Sequence, residues 1–185
     1  MSNFLTSKEK KISNEFEKKG FLIRDIEDHR SLKKLRDIFL KIYLKNLKIK
    51  RNISGKKNIF NFTHQNIESY NLNQFRLKII NEINKKNEVR ELYYRISKPI
   101  LDVILGNELS MQSRVNLSIQ LPQDKSSLLP VHSDVWSGDS PFETVVWLPL
   151  VDCYKTKSMF ILPPKKYNKM KKIFQEKKFN SSDKI

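Results

Sequence analysis

The amino-acid sequence predicts an α+β chain in which helices come first and short strands follow. Three observations carry this. Apolar residues recur at helical spacing through roughly the first hundred positions. At Met111 the pattern changes to strict alternation of polar and apolar side chains. Beyond it lie apolar runs of strand length, bounded by proline and by turn-forming residues. A chain of 185 residues is long enough for one domain with a real core. A single domain is expected over 1–185, mainly helical over 1–110, strand-forming over 111–164, with a basic helix and tail over 165–185.

Taken in order, residues 6–19 read as a short polar helix with Thr6 or Ser7 as N-cap and Gly20 as its end. Phe21-Leu22-Ile23 reads as a brief strand. Leu32, Leu35, Ile38, Phe39 and Ile42 fall on one helical face, with Ser31 as the expected N-cap. The stretch 51–66 is loop-like. Phe75, Ile79, Ile80 and Ile83 begin another helix, and Val89, Leu92, Tyr93 and Ile96 continue the pattern. Pro99 predicts a break or a new helix start, and Gly106 closes the segment. Arg114, Asn116, Ser118 and Gln120 then alternate with Val115, Leu117, Ile119 and Leu121, as in a half-buried strand. Residues 132–135 fit another strand, and 137–141 a turn. The run 142–151 is nearly continuous apolar, so both of its faces should be covered, with Trp147 in the core. A last short strand is expected over 158–162.

Charge is unevenly placed. There are 36 Lys+Arg against 20 Asp+Glu, a formal net charge of +16. Residues 101–154 nevertheless carry 2 basic and 7 acidic side chains, between strongly basic flanks. Such an acidic island suits a cation better than a phosphate backbone, and nucleic acid is not expected as a partner. The basic residues near 165–172 read as a solvated face. One cysteine, Cys153, rules out an internal disulfide, favours a cytoplasmic setting, and reads as a small buried apolar residue. No signal peptide is visible at the N-terminus, and no apolar run approaches the ~20 residues of a membrane helix.

The chemistry concentrates in LLPVHSDVWSGDSPFETVVWLPLVDC, residues 128–153. On extended backbone, side chains at i and i+2 point the same way. His132 and Asp134 would project together, near enough to bind one metal ion. An imidazole and a carboxylate, completed by a second imidazole, make the facial triad of non-heme Fe(II) oxygenases. A histidine satisfied by its neighbouring carboxylate is the alternative. The polar face of 114–120 could line a cavity or meet solvent. Trp136 and Asp139 sit just beyond the pair, where substrate could lie, although Trp136 could as well pack on its own loop. His29 and His64 fall in turn-like, solvated stretches.

RVNLSIQLP (114–122), the 128–153 segment, KSMFILPP (157–164) and EFEKKGFLIRDIED (15–28) together resemble the phytanoyl-CoA dioxygenase-like Fe(II)/2-oxoglutarate-dependent oxygenases, and within them the sporadic carbohydrate cluster oxygenases. The resemblance implies a double-stranded β-helix, a cupin-like jelly roll, with helices packed outside. It implies Fe(II) held by His132, Asp134 and a distal histidine, with 2-oxoglutarate and O2 as cosubstrates. Arg114, Asn116 and Gln120 would contact the cosubstrate, and Trp136 and Asp139 the substrate. Hydroxylation of a sugar or sugar-linked precursor in surface polysaccharide biosynthesis is the implied outcome, with a small-molecule or lipid-linked sugar as substrate. The family places its second histidine, and an arginine for 2-oxoglutarate, late in the barrel. No histidine or arginine follows Asp134 here. The expectation is therefore a partial jelly roll lacking its C-terminal half, inactive alone or completed by a downstream chain. Two other readings stay open: a non-catalytic basic protein binding nucleic acid or another polyanion, and a metal-free cupin-like remnant.

Overall fold

The structure is a computed structural model that describes residues 4–47, 58–125 and 132–176, the last five by their backbone alone. Helix α1 spans Ser7–Lys19, α2 His29–Leu47, α3 Ser69–Ile83, α4 Asn87–Ile104 and α5 Pro164–Glu176. A 3-10 segment at Ile59–Gln65 precedes α3, and two short 3-10 turns lie at Asp134–Ser137 and Lys155–Lys157. Helices α2, α3 and α4 pack together, with α1 against α4.

The helix ends follow from local chemistry. Thr6 opens α1 through a capping box: its hydroxyl accepts from the Glu9 N–H, while the Glu9 carboxylate accepts from the Thr6 N–H. Gly20 closes α1 at φ 76°, a left-handed conformation that a side chain disfavours. A Cβ there would also lie 3.1 Å from the Pro164 ring, so α5 is seated against the end of α1. Helix α2 begins earlier than expected. Ser31 lies within it, and the Asp28 carboxylate accepts from the Ser31 N–H at 2.9 Å. Asp28 therefore does the capping assigned to Ser31. Helix α4 runs through Pro99 without breaking. Its buried face of Val89, Leu92 and Ile96 holds the helix to the bundle, and burial of that face outweighs the backbone penalty of one proline.

The core lies among these helices. Leu35, Ile79, Ile83 and Val89 are fully buried, each stabilising by about 1.5–3 kcal/mol. Tyr43 sits edge-on to Phe60 and Phe75, with ring centroids at 5.1 and 5.5 Å, and its hydroxyl donates to Thr63 at 2.9 Å.

The expected α+β architecture, with helices packed on a partial jelly roll, is overturned. Among the described residues there is no strand and no sheet. The stretches 21–23, 115–121, 142–149 and 158–162 are irregular, and 134–137 is a 3-10 turn. The alternation over 114–120 is real, since Val115 is buried, Leu117 and Ile119 are half-buried, and the polar residues between them are exposed. Helix side chains take the place of a ladder. The Asn84 amide grips both sides of Val115: its Oδ1 accepts from the Val115 N–H at 2.7 Å and its Nδ2 donates to the Val115 carbonyl at 2.9 Å. The Tyr93 hydroxyl donates to the Val146 carbonyl at 2.7 Å, and Asn58 Nδ2 to the Leu150 carbonyl at 2.9 Å. Asn61 brackets Asp152 through the Asp152 N–H and carboxylate.

The run 142–151 has one covered face rather than two. Val146, Leu148 and Leu150 turn toward the helices, whereas Phe142, Val145 and Trp147 are exposed. Trp147 is thus not a core residue. Cys153 is also exposed rather than buried. Partial desolvation, with the Asp152 carboxylate adding to it, raises its thiol pKa, which disfavours the thiolate. No described helix is long and apolar enough to cross a membrane.

Candidate functional site

The site is built on a turn. Ser133 is extended, at φ −129° and ψ 134°, and the chain then coils into the Asp134–Ser137 turn. One extended residue between two side chains suffices to send both the same way. His132 Nε2 lies 3.6 Å from Asp134 Oδ1. The turn is closed from behind: the Trp136 N–H donates to the Ser133 carbonyl at 2.9 Å, and the Asp139 N–H to the Asp134 carbonyl at 3.3 Å. Gly138 ends it at φ 97°, where a β-carbon would be strained.

Both side chains of the pair are open to solvent, His132 at 37% and Asp134 at 49%. Trp136 and Asp139 are exposed on the same turn. The structure thus gathers His132, Asp134, Trp136 and Asp139 within one short loop, at the surface and not in a barrel interior.

The remaining expected site residues behave differently. Arg114, Asn116 and Gln120 are exposed. The Arg114 guanidinium donates to Asn81 Oδ1 at 2.7 Å, which ties it to α3. His29 is exposed at the start of α2. His64 is exposed too, and it lines a cleft of about 230 Å³ with Glu68 and Asp124. Among the described residues no group of three or more His, Cys, Asp or Glu side chains could hold a metal. Two ligands suit a weakly held divalent cation and fall short of the three that a resident iron needs. The chain's own described residues therefore do not by themselves fit such an iron, and a third ligand has to come from elsewhere.

Two groupings were invisible in the sequence. One is the set of helix amides and hydroxyls that bind the extended segments. The other is a cavity of about 190 Å³ between α2 and α4, lined by Arg30, Lys34, Glu88, Glu91 and Arg95. Lys34 and Glu88 pair across it at 2.7 Å, holding the Glu88 carboxyl below its ordinary pKa. Both groupings join residues more than 30 positions apart, so spacing along the chain carries no trace of them. No family model matches the chain, and no curated protein and no solved structure is similar to it.

Proposed function

We propose that this chain supplies two ligands, His132 and Asp134, of a non-heme Fe(II)/2-oxoglutarate-dependent oxygenase site in the cytoplasm, with the third ligand furnished by another chain. The observation that supports the reading is the 3.6 Å approach of His132 Nε2 to Asp134 Oδ1 on a turn closed by backbone hydrogen bonds. It needs no barrel. It needs one extended residue, Ser133, and a turn that fixes Asp134. The resemblance of 128–153 to the sporadic carbohydrate cluster oxygenases supplies the chemistry, hydroxylation of a sugar or sugar-linked precursor. His132 and Asp134 would hold the metal once a third ligand completes the set, and the metal would supply oxidative chemistry with 2-oxoglutarate and O2 as cosubstrates. Trp136, beside the pair, offers a flat apolar face on which a sugar ring could stack.

The same 3.6 Å contact would also serve a protonated histidine paired with a carboxylate, and a titration separates the two. Fe(II) is added anaerobically to the whole protein while tryptophan fluorescence is followed, with and without 2-oxoglutarate. The proposal expects saturable quenching that His132→Ala abolishes and 2-oxoglutarate strengthens. Quenching that is absent, or unchanged in His132→Ala, would leave only the ion pair.

A further inference from the structure

Residues 159–171, beyond the helical core in sequence, carry exposed apolar and basic side chains side by side along the chain. Met159, Phe160, Ile161 and Leu162 are all exposed, Phe160 at 90%. They lead through Pro163 and Pro164 into α5, where the exposed Tyr167 and Met170 stand about 60° apart on one side of the helix. Lys166 and Lys171 flank that side, and Lys165 and Lys169 face away from it; all four are exposed. The single acidic residue between 155 and 176 is Glu176, at the end of the helix. The contact of Pro164 with Gly20 fixes where α5 leaves the bundle.

We infer that Met159–Leu162 and α5 form a docking face for an anionic lipid surface, with the apolar side chains entering the headgroup boundary and the lysines contacting the charged headgroups. Charge selects the sign of the partner, since seven lysines lie between 155 and 172 with no carboxylate among them. The apolar residues select its kind. Phosphate backbones have no use for exposed methionine, isoleucine and leucine, whereas acyl chains do. Phe160 and Tyr167 could also stack on bases, and the RNA titration below tests that use. No described helix can span a bilayer, so attachment would be along the surface. This face is independent of the His132–Asp134 pair, and its test leaves that pair untouched.

The whole protein is floated with phosphatidylcholine vesicles, with and without phosphatidylserine, at low and high salt, beside a titration with single-stranded RNA. Binding is expected only to vesicles containing phosphatidylserine, and weaker at high salt. Phe160→Ser should lower partitioning at least about tenfold. Reversing Lys166 and Lys171, which flank the face, to Glu should lower it about twenty-five-fold or more, at about fivefold or more per lysine. Circular dichroism checks that each variant keeps its helices. Equal binding to neutral vesicles, no binding to either, phosphatidylserine binding that Phe160→Ser leaves intact, or RNA binding in place of vesicle binding would each overturn the inference.

Discussion

The helical half of the chain, the described residues of 7–104, and the extended half, the described residues of 107–163, treat their apolar residues in opposite ways. In the first, Leu35, Ile79, Ile83 and Val89 are wholly buried against one another. In the second, Val115 is the one buried residue among those described, while Phe142, Trp147 and Phe160 lie exposed. A helix satisfies its own backbone, so its apolar stripe is free to seek a partner. An extended segment does not. It needs other polar groups along its length, and here the bundle provides them through Asn84, Tyr93, Asn58 and Asn61. The second half therefore depends on the first for its backbone hydrogen bonds, while Val115, Leu117, Ile119, Leu148 and Leu150 add to the bundle's core.

Perturbing that dependence at different depths should separate the halves. The largest effect is expected from Leu35→Ala, which opens a cavity in the bundle and should cost about 2–5 kcal/mol. Helix signal and tryptophan fluorescence should then fall together in a denaturant titration. Asn84→Ala comes next. It strips both bonds from Val115 and the amide bond to the Ile80 carbonyl, for about 1–3 kcal/mol. Tryptophan fluorescence should change before the helix signal does, since the bundle keeps its core.

Tyr93→Phe should cost about 1 kcal/mol, by removing the donor to the Val146 carbonyl. Burial pushes the Tyr93 hydroxyl up to about 12, against the smaller opposing pull of the Leu148 backbone. A pKa raised by folding contributes stability that is fully present below the unfolded value, near 10, and lost as pH rises toward the folded one. Wild type should lose stability as pH rises from about 10 toward about 12, and Tyr93→Phe should show less of that loss, the remainder coming from Tyr43, whose hydroxyl burial also pushes up.

The smallest effect belongs to Glu15. Its hydrogen bond from Arg24, then that from Lys19, holds its carboxyl down at about 2. A depressed carboxyl contributes stability above its unfolded pKa, near 4.5, that fades as pH falls toward 2. Both partners are open to solvent, so Glu15→Gln should flatten a shallow acid slope in the thermal midpoint and do little at neutral pH.

Much of the helical half was legible because helices are local. Thr6, Gly20 and the spacing from Leu32 to Ile42 each act within a few residues of their own position. Ser31 was misjudged by three residues, since Asp28 competes for the same role and presents the stronger acceptor. The extended half was half legible. Alternation correctly gave the direction of Val115 and of the polar residues around it. It could not give pairing, because a sheet is made by segments distant in sequence, and Asn84 can occupy the place of a neighbouring strand. Trp147 shows the same limit, since an apolar run states what would favour burial and not what is there to cover it. The His132–Asp134 approach survived the loss of the strand because it depends on Ser133 alone being extended.

Amide hydrogen exchange across 112–121 and 144–152, read residue by residue, tests most directly whether helix side chains stand in for a sheet. Protection is predicted at the Val115 and Asp152 amides, which donate to Asn84 and Asn61, with Val115 losing it in Asn84→Ala and Leu117 and Ile119 exchanging fast throughout. Protection at every second amide of both segments, persisting in Asn84→Ala, would reveal a ladder between strands and contradict the account.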